Sequence, residues 1–224
     1  MHNAVVALAV FVVTFLLGSI PWGLIISKVF FKTDIRQHGS GNIGTTNAMR
    51  TMGKKGGAAV FLLDFGKGLL SGVVAMVAAW NFLPGGGLGE DAAVSYNLLM
   101  AIATMGCTFG HIFSPWLNFK GGKGIAVAVG ALFMSFGPLG ACIELFAVFT
   151  VLVLITRIVS VGSIAAAVAC PFVAAFLFPG EWPVIALFAI TGAVVVWAHR
   201  GNIQRLMNGT ERKIGSKKKE AQEA

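Results

Sequence analysis

The segment Gly110-His-Ile-Phe-Ser-Pro-Trp-Leu-Asn-Phe-Lys-Gly-Gly-Lys-Gly-Ile125 sets His111, Lys120 and Lys123 among small, bendable residues, between two apolar runs. Cations at the junction of two lipid-length runs lie beside hydrocarbon, where they are costly unless an anion answers them. Gly121, Gly122 and Gly124 leave backbone N–H groups uncovered by side chains. A helix starting near Ile125 would aim the positive end of its dipole at the same place. A phosphate suits this arrangement. It is not a Walker loop, because Leu117 and Gly124 stand where that motif requires a glycine and a Ser or Thr.

Two other stretches carry the same chemistry. Within His38–Arg50, Ser40, Gly41, Asn42, Thr46 and Asn47 supply hydroxyls, amides and tight turns, and Arg50 can fork onto phosphate oxygens. The bland alternative is a connecting loop whose arginine only marks membrane topology. Gly39, Gly41 and Gly44 match the spacing of a dinucleotide fingerprint, but an apolar membrane run precedes them where that fold needs a strand. Further on, His199 and Asn202 stand one helical turn apart, with Arg200 and Arg205 nearby and Glu211 beyond. Asp64 and Lys67 share a helix face at i and i+3 inside an apolar run. There each charge would cost about 2.5–3.5 kcal/mol alone, so they are expected to pair, as a structural ion pair or as part of a pocket. No Ser-His-Asp set, activated cysteine or carboxylate pair is present, and a metal site from His38, His111 and His199 would lack a carboxylate at ligand spacing. Chemistry here must come from the substrates' own phosphates and from electrostatic positioning.

The elements that position these residues are set by composition. With 56 % hydrophobic and 12 % charged residues, a chain of 224 residues cannot bury its apolar surface in one soluble core, so its solvent is lipid. The 29 glycines fit close helix packing in a bilayer. Cys107, Cys142 and Cys170 fall in apolar runs and read as core thiols. Apolar runs at Ala4–Ile26, Gly56–Trp80, Ala92–Phe109, Ile125–Phe136, Leu139–Ile155, Val159–Phe178 and Trp182–Ala198 predict an all-α integral membrane protein, a seven-helix bundle. With the N-terminus outside and the C-terminus cytoplasmic, every basic residue except Lys67 falls on the inner side, while the outer loops carry Glu90, Asp91 and Glu181. The net charge of +8 is thereby used for topology, and no nucleic-acid partner is expected. Glu144, in the fifth run, has no assigned partner. Residues 1–210 form a single membrane domain in this reading, and the basic, polar residues 211–224 a disordered cytoplasmic tail.

Taken together, the blocks Gly39–Asn47, Leu63–Gly68, Gly110–Gly124 and His199–Glu211 resemble the bacterial acyl-phosphate:glycerol-3-phosphate acyltransferases, the PlsY family, in the right order over nearly the whole chain. Thr45, Ser114, Val127 and Gly201 depart from the residues usual there. The resemblance implies transfer of an acyl group from acyl phosphate to the 1-hydroxyl of glycerol 3-phosphate, without metal, cofactor or acyl-enzyme. The expected setting is the bacterial inner membrane, with the site on the cytoplasmic side by the charge asymmetry, in a monomer with an oligomer left open. His199, Asn202 and Lys123 would be catalytic, the Ser40–Arg50 loop with Lys120, Gly121 and Gly122 would bind phosphate, and Asp64, Lys67, His111 and Glu211 would support them. Either a substrate phosphate oxygen or His199 would accept the hydroxyl proton. The rival reading is a carrier of phosphate or an organophosphate, since helix ends also face anions in transporters. A carrier needs a mid-bilayer site reachable from both sides, whereas these polar residues gather at one face.

Overall fold

The computed structural model describes residues 2–87 and 94–215. The predicted outer-loop acids Glu90 and Asp91, the tail from Ser216, and the side chains of Glu144 and Cys142 lie outside the described residues.

Among the described residues regular structure is entirely helical. Helix α1 (His2–Ser19) and α2 (Trp22–Phe30) divide at Pro21, which has no N–H to continue the ladder. Helix α3 (Thr45–Phe82) is interrupted at Gly53, whose φ of 72° lies in the left-handed region, so a short helix carrying Thr45–Arg50 is separated from the lipid-length part. Next comes α4 (Tyr96–Ile112), which begins at Ser95, whose side chain accepts from the Leu98 N–H at 3.0 Å. Then follow α5 (Ile125–Ser135), α6 (Gly137–Cys142), a π-helical stretch (Ile143–Thr150) and α7 (Val151–Thr156). Helices α8 (Val159–Leu177), α9 (Trp182–Ala198) and α10 (Arg200–Met207) complete the order, α10 turning 57° away from α9.

Among the described residues four spans are long and apolar enough to cross a membrane, α1 with α2, α3, α4 and α8, or five if the bent α9–α10 pair counts as one. The expectation was seven runs, and two fall short for different reasons. Helix α5 has 11 residues, roughly 17 Å at 1.5 Å per residue against a hydrocarbon core of about 30 Å. The Leu139–Ile155 run is divided among α6, the π-helical stretch and α7.

Packing relies on small residues. On α4, Gly106 and Gly110 lie against the α1 backbone at Phe11 and Phe15, and Gly18 of α1 lies against the Cys107 carbonyl. Likewise Gly68 of α3 meets the Val127 carbonyl and Gly130 of α5 meets the Phe65 carbonyl. Between helices in lipid no hydrophobic gain is available, so this backbone contact supplies the attraction. At one end of α5, α8 and α9 an apolar cluster of Leu132, Phe136, Cys170, Ala174, Val184 and Phe188 closes the bundle, with the Phe136 and Phe188 rings 4.6 Å apart.

Replacing Gly110 by Leu would drive a side chain into the Phe15 carbonyl. Overpacking of this kind costs about 1–3 kcal/mol or more. We expect a lower thermal midpoint in detergent, read by size-exclusion recovery after heating. Gly66→Ala, which meets nothing within 4 Å, should leave the midpoint unchanged or raise it.

Candidate active site

The Ser40 loop is folded around one amide. The buried Asn47 side chain accepts from the Ser40 N–H at 2.8 Å and donates to the carbonyls of Ile35, His38 and Asn42 at 3.1, 3.0 and 2.8 Å. Asn42 in turn accepts from the Gly44 N–H at 2.8 Å, and Gly39 and Gly41 take positive φ to make the turns. Asn47 therefore shapes the loop rather than offering its amide to a ligand, a role that its polar type alone did not separate from phosphate binding. Ser40, Thr46 and Arg50 remain exposed.

The lysine–glycine loop is anchored from below. Lys67 places its ammonium 2.9 Å from Asp64 Oδ1, donates to the Ile20 carbonyl at 2.8 Å and lies 3.0 Å from His111 Nδ1, all three side chains being buried. The paired arrangement expected for Asp64 and Lys67 is thus present, with His111 as a third member. Contrary to expectation, the Gly121 and Gly122 N–H groups are not open to an anion. They donate to the Ile112 and His111 carbonyls at 2.9 and 3.0 Å, satisfying the end of α4. A Cβ at Gly121 would strike the His111 carbonyl and one at Gly122 the His111 ring, so these glycines permit close approach of the loop to α4. Lys120 is exposed, and Gly124, at φ 84°, starts α5 without a side-chain cap.

Lys123 is held from the far side of the chain. Its ammonium donates to Asn202 Oδ1, and Asn202 Nδ2 donates to Glu211 Oε1 at 2.7 Å. Ser160 and Arg205 also donate to Glu211, at 2.9 and 2.6 Å. Glu211, counted with the tail in the sequence, is thereby tied to α8 and α10. Burial pushes its carboxyl up, but the hydrogen bonds from Asn202, Arg205 and Ser160 and the Arg205 charge outweigh that and hold it below its ordinary range. For Lys123, burial first and then the Arg205 and Arg50 charges lower the ammonium to about 8 against the opposing pull of Glu211. His199 donates Nδ1–H to the Val195 carbonyl at 2.8 Å, because that oxygen can only accept. Its Nε2 is then the bare acceptor, and burial, with the Lys123 charge adding, lowers the imidazole to about 4 despite the Val195 bond.

These groups line one cavity of about 380 Å³. From the first block it receives Ser40, Asn42, Thr46, Asn47 and Arg50. From the others it receives Asp64, His111, Lys123, His199, Asn202 and Glu211. Gly41, Lys67, Lys120, Gly121 and Gly122 are not on its wall. Below the polar mouth it runs past Ile125, Val129, Ala167 and Gly192 to the apolar cluster at Leu132, Cys170 and Phe188. The hydroxyls of Ser163 and Thr191 on that wall are spent on carbonyls of their own helices, at 3.0 and 2.8 Å.

Residues 8–209 match the glycerol-3-phosphate acyltransferase family. The chain belongs to that family. A glycerol-3-phosphate acyltransferase of Thermosynechococcus vestitus is 39 % identical over 219 residues, covering 96 % of this chain and 99 % of its own. One of Salinibacter ruber is 43 % identical, covering 92 % of each. The crystal structure of PlsY, an integral membrane glycerol 3-phosphate acyltransferase, in its glycerol 3-phosphate form gives a TM-score of 0.78 at 34 % identity, over 93 % of this chain and 96 % of that one. Its lysophosphatidic acid form gives 0.75 at 34 % identity, over 93 % and 95 %. With its long apolar helices, this member of the family is a multi-pass membrane protein.

Among the cavity residues of this acyltransferase-family chain that were not expected site residues are Ser160, Arg205 and Arg212. Arg205 was noted only as a neighbour of His199, and its spacing to Glu211 was the available signal. Ser160 opens an apolar helix and carries no such signal. Arg200, adjacent to His199, lies instead over the Trp197 ring, 4.1 Å from its centroid.

Asn47→Asp keeps the acceptor for Ser40 but sets a carboxylate against three carbonyls. A destabilisation of about 1–3 kcal/mol is expected, with new protease cleavage between residues 35 and 44 as the local readout.

Proposed function

We propose that the protein transfers a fatty acyl group from acyl phosphate to the sn-1 hydroxyl of glycerol 3-phosphate, giving 1-acylglycerol 3-phosphate and phosphate, the first acylation of phospholipid synthesis. The single observation that carries this reading is the cavity itself: cations of three separate chain segments, Arg50, Lys123 and Arg205, stand at its mouth, and its depth is apolar. Such a cavity suits two phosphorylated reactants, one of them bearing an alkyl chain. Family membership supports the acyltransferase class.

In this reaction the hydroxyl oxygen attacks the acyl carbon, the new ester C–O bond forms, and the C–O bond to phosphate breaks with its electron pair leaving on phosphate. Arg50 and Lys123 hold the phosphate groups. His199 accepts the hydroxyl's hydrogen bond at Nε2 and orients it, with Asn202 keeping Lys123 in place. An imidazole lowered to about 4 is a poor holder of a proton at neutral pH. The proton therefore passes to an oxygen of the departing phosphate. Ser40 and Thr46 complete the phosphate contacts. Lys120, exposed and off the cavity wall, attracts substrate without touching it.

The proposed setting is the bacterial inner membrane, with the cavity mouth on the cytoplasmic side and the N-terminus outside, since the basic residues gather in the loops that form the mouth. In that orientation α5 and the α6–α7 stretch complete a seven-pass path, with α5 a short pass below the Lys123 loop. The membrane domain acts as a monomer.

Purified protein given acyl phosphate and radiolabelled glycerol 3-phosphate should yield a lysophosphatidate spot on thin-layer chromatography, lost in Arg50→Ala. Uptake into liposomes without product would overturn the reading in favour of a carrier. The pH profile supplies a sharper check. Lys123 carries its charge below about pH 8 and loses it above, so kcat/KM should fall on the alkaline side from there. Lys123→Arg should move that limb upward. Glu211→Gln, which removes a charge that raises Lys123, should move it downward.

A further inference from the structure

Two buried imidazoles line the cavity, 4 % and 2 % exposed at His111 and His199, and their neighbours fix them in opposite tautomers. At His199 the partner of Nδ1 is a carbonyl, so Nδ1 carries the proton. At His111 the partner of Nδ1 is the Lys67 ammonium, which can only donate, so Nδ1 accepts and Nε2 carries the proton. Asp64 Oδ1, 2.9 Å from Lys67 and 3.7 Å from His111 Nδ1, holds that ammonium in place. Among the described residues His111 Nε2 has no hydrogen-bond partner, and it packs on Gly122, beside Lys123. The uncapped start of α5 adjoins it, and Ile125 and Ala126, whose N–H groups have no intrahelical acceptor, lie on the cavity wall.

We propose that His111 is a catalytic hydrogen-bond donor: its Nε2–H, with the first amides of α5, holds the acyl carbonyl oxygen as it becomes an oxyanion, and Lys67 and Asp64 are positioning residues acting through the ring. This rests on the acyl transfer proposed above. When the hydroxyl oxygen bonds to the acyl carbon, the carbonyl electron pair moves onto oxygen; on collapse it returns and phosphate leaves with the C–O pair. His111 keeps its proton throughout. The site then divides the work, one imidazole accepting from the nucleophile and the other donating to the electrophile.

Steady-state kinetics of His111→Leu and His111→Gln test it. Loss of one oxyanion donor lowers kcat by about 10²–10³, so His111→Leu should show that loss with KM for glycerol 3-phosphate little changed. His111→Gln, which restores an N–H donor, should recover at least about tenfold of it. An unchanged kcat in His111→Leu overturns this inference alone, whereas a wild type that forms no lysophosphatidate overturns the reaction on which it rests. If His111→Leu does not fold, nitrogen NMR of histidine-labelled wild type decides instead. Expected are a protonated Nε2 on His111 and a protonated Nδ1 on His199, with the His111 Nε2 signal moving when an uncleavable acyl phosphonate is added. A protonated His111 Nδ1, or an Nε2 signal that the phosphonate leaves in place, would overturn it.

Discussion

The structure depends on one buried cation. Lys67 sits within the bundle and is answered by three different elements: Asp64 one turn back on α3, the Ile20 carbonyl at the break between α1 and α2, and His111 near the end of α4. Removing one partner of such a buried pair typically costs about 3–5 kcal/mol, because the other charge is left without an answer. The same residue also donates to the Ile20 carbonyl where α1 ends, an oxygen that accepts from the Trp22 N–H at 3.1 Å as well, and a cation there is favoured by the helix dipole. A charge that would be costly in lipid thus becomes the point at which α1, α3 and α4 are fixed relative to one another.

From that point a continuous set of contacts reaches the mouth of the cavity. Lys67 fixes the His111 ring; the His111 carbonyl and ring seat Gly122; the next residue is Lys123, whose ammonium meets Asn202. Asn202 is held by Glu211, which also gathers Ser160 and Arg205. Four segments far apart in sequence are therefore joined through side chains rather than through secondary structure. The helices alone could not set this register, since their packing faces are glycines and small residues that permit sliding. Polar contacts at one end supply the specificity that the apolar surfaces lack.

Much of this was legible in the sequence, and the limits have physical causes. Hydrophobic runs announced a membrane protein, and glycine–basic blocks located the cavity, because lipid makes every intramembrane charge and every long apolar run conspicuous. The Asp64–Lys67 pair was readable for the same reason. What could not be read was where backbone hydrogen bonds go. Gly121 and Gly122 look the same in sequence whether their N–H groups face a ligand or close the end of α4, and the structure has them do the latter. Asn47 is a similar case: an amide beside an arginine reads as a binding group, and only its four local partners reveal a scaffold. Run length also hid an internal division, because Leu139–Ile155, apolar but for Glu144, divides among three helical pieces, one of them π-helical.

In the proposed reaction no protein nucleophile takes part, so the chemistry comes from placement, and burial is the device that serves it. Withdrawal from water lowers Lys123 towards neutrality and His199 far below it. An ammonium so placed has shed part of its hydration before any anion arrives, so a phosphate that replaces the missing water restores the charge to a favourable environment. The imidazole, held neutral, keeps an open lone pair for a hydroxyl. Both effects weaken as water reaches the groups, and the apolar depth of the cavity is the surface an alkyl chain would occupy. In the proposed reaction the lipid substrate would therefore seal the site in which its own acyl carbon reacts, excluding water as a competing nucleophile.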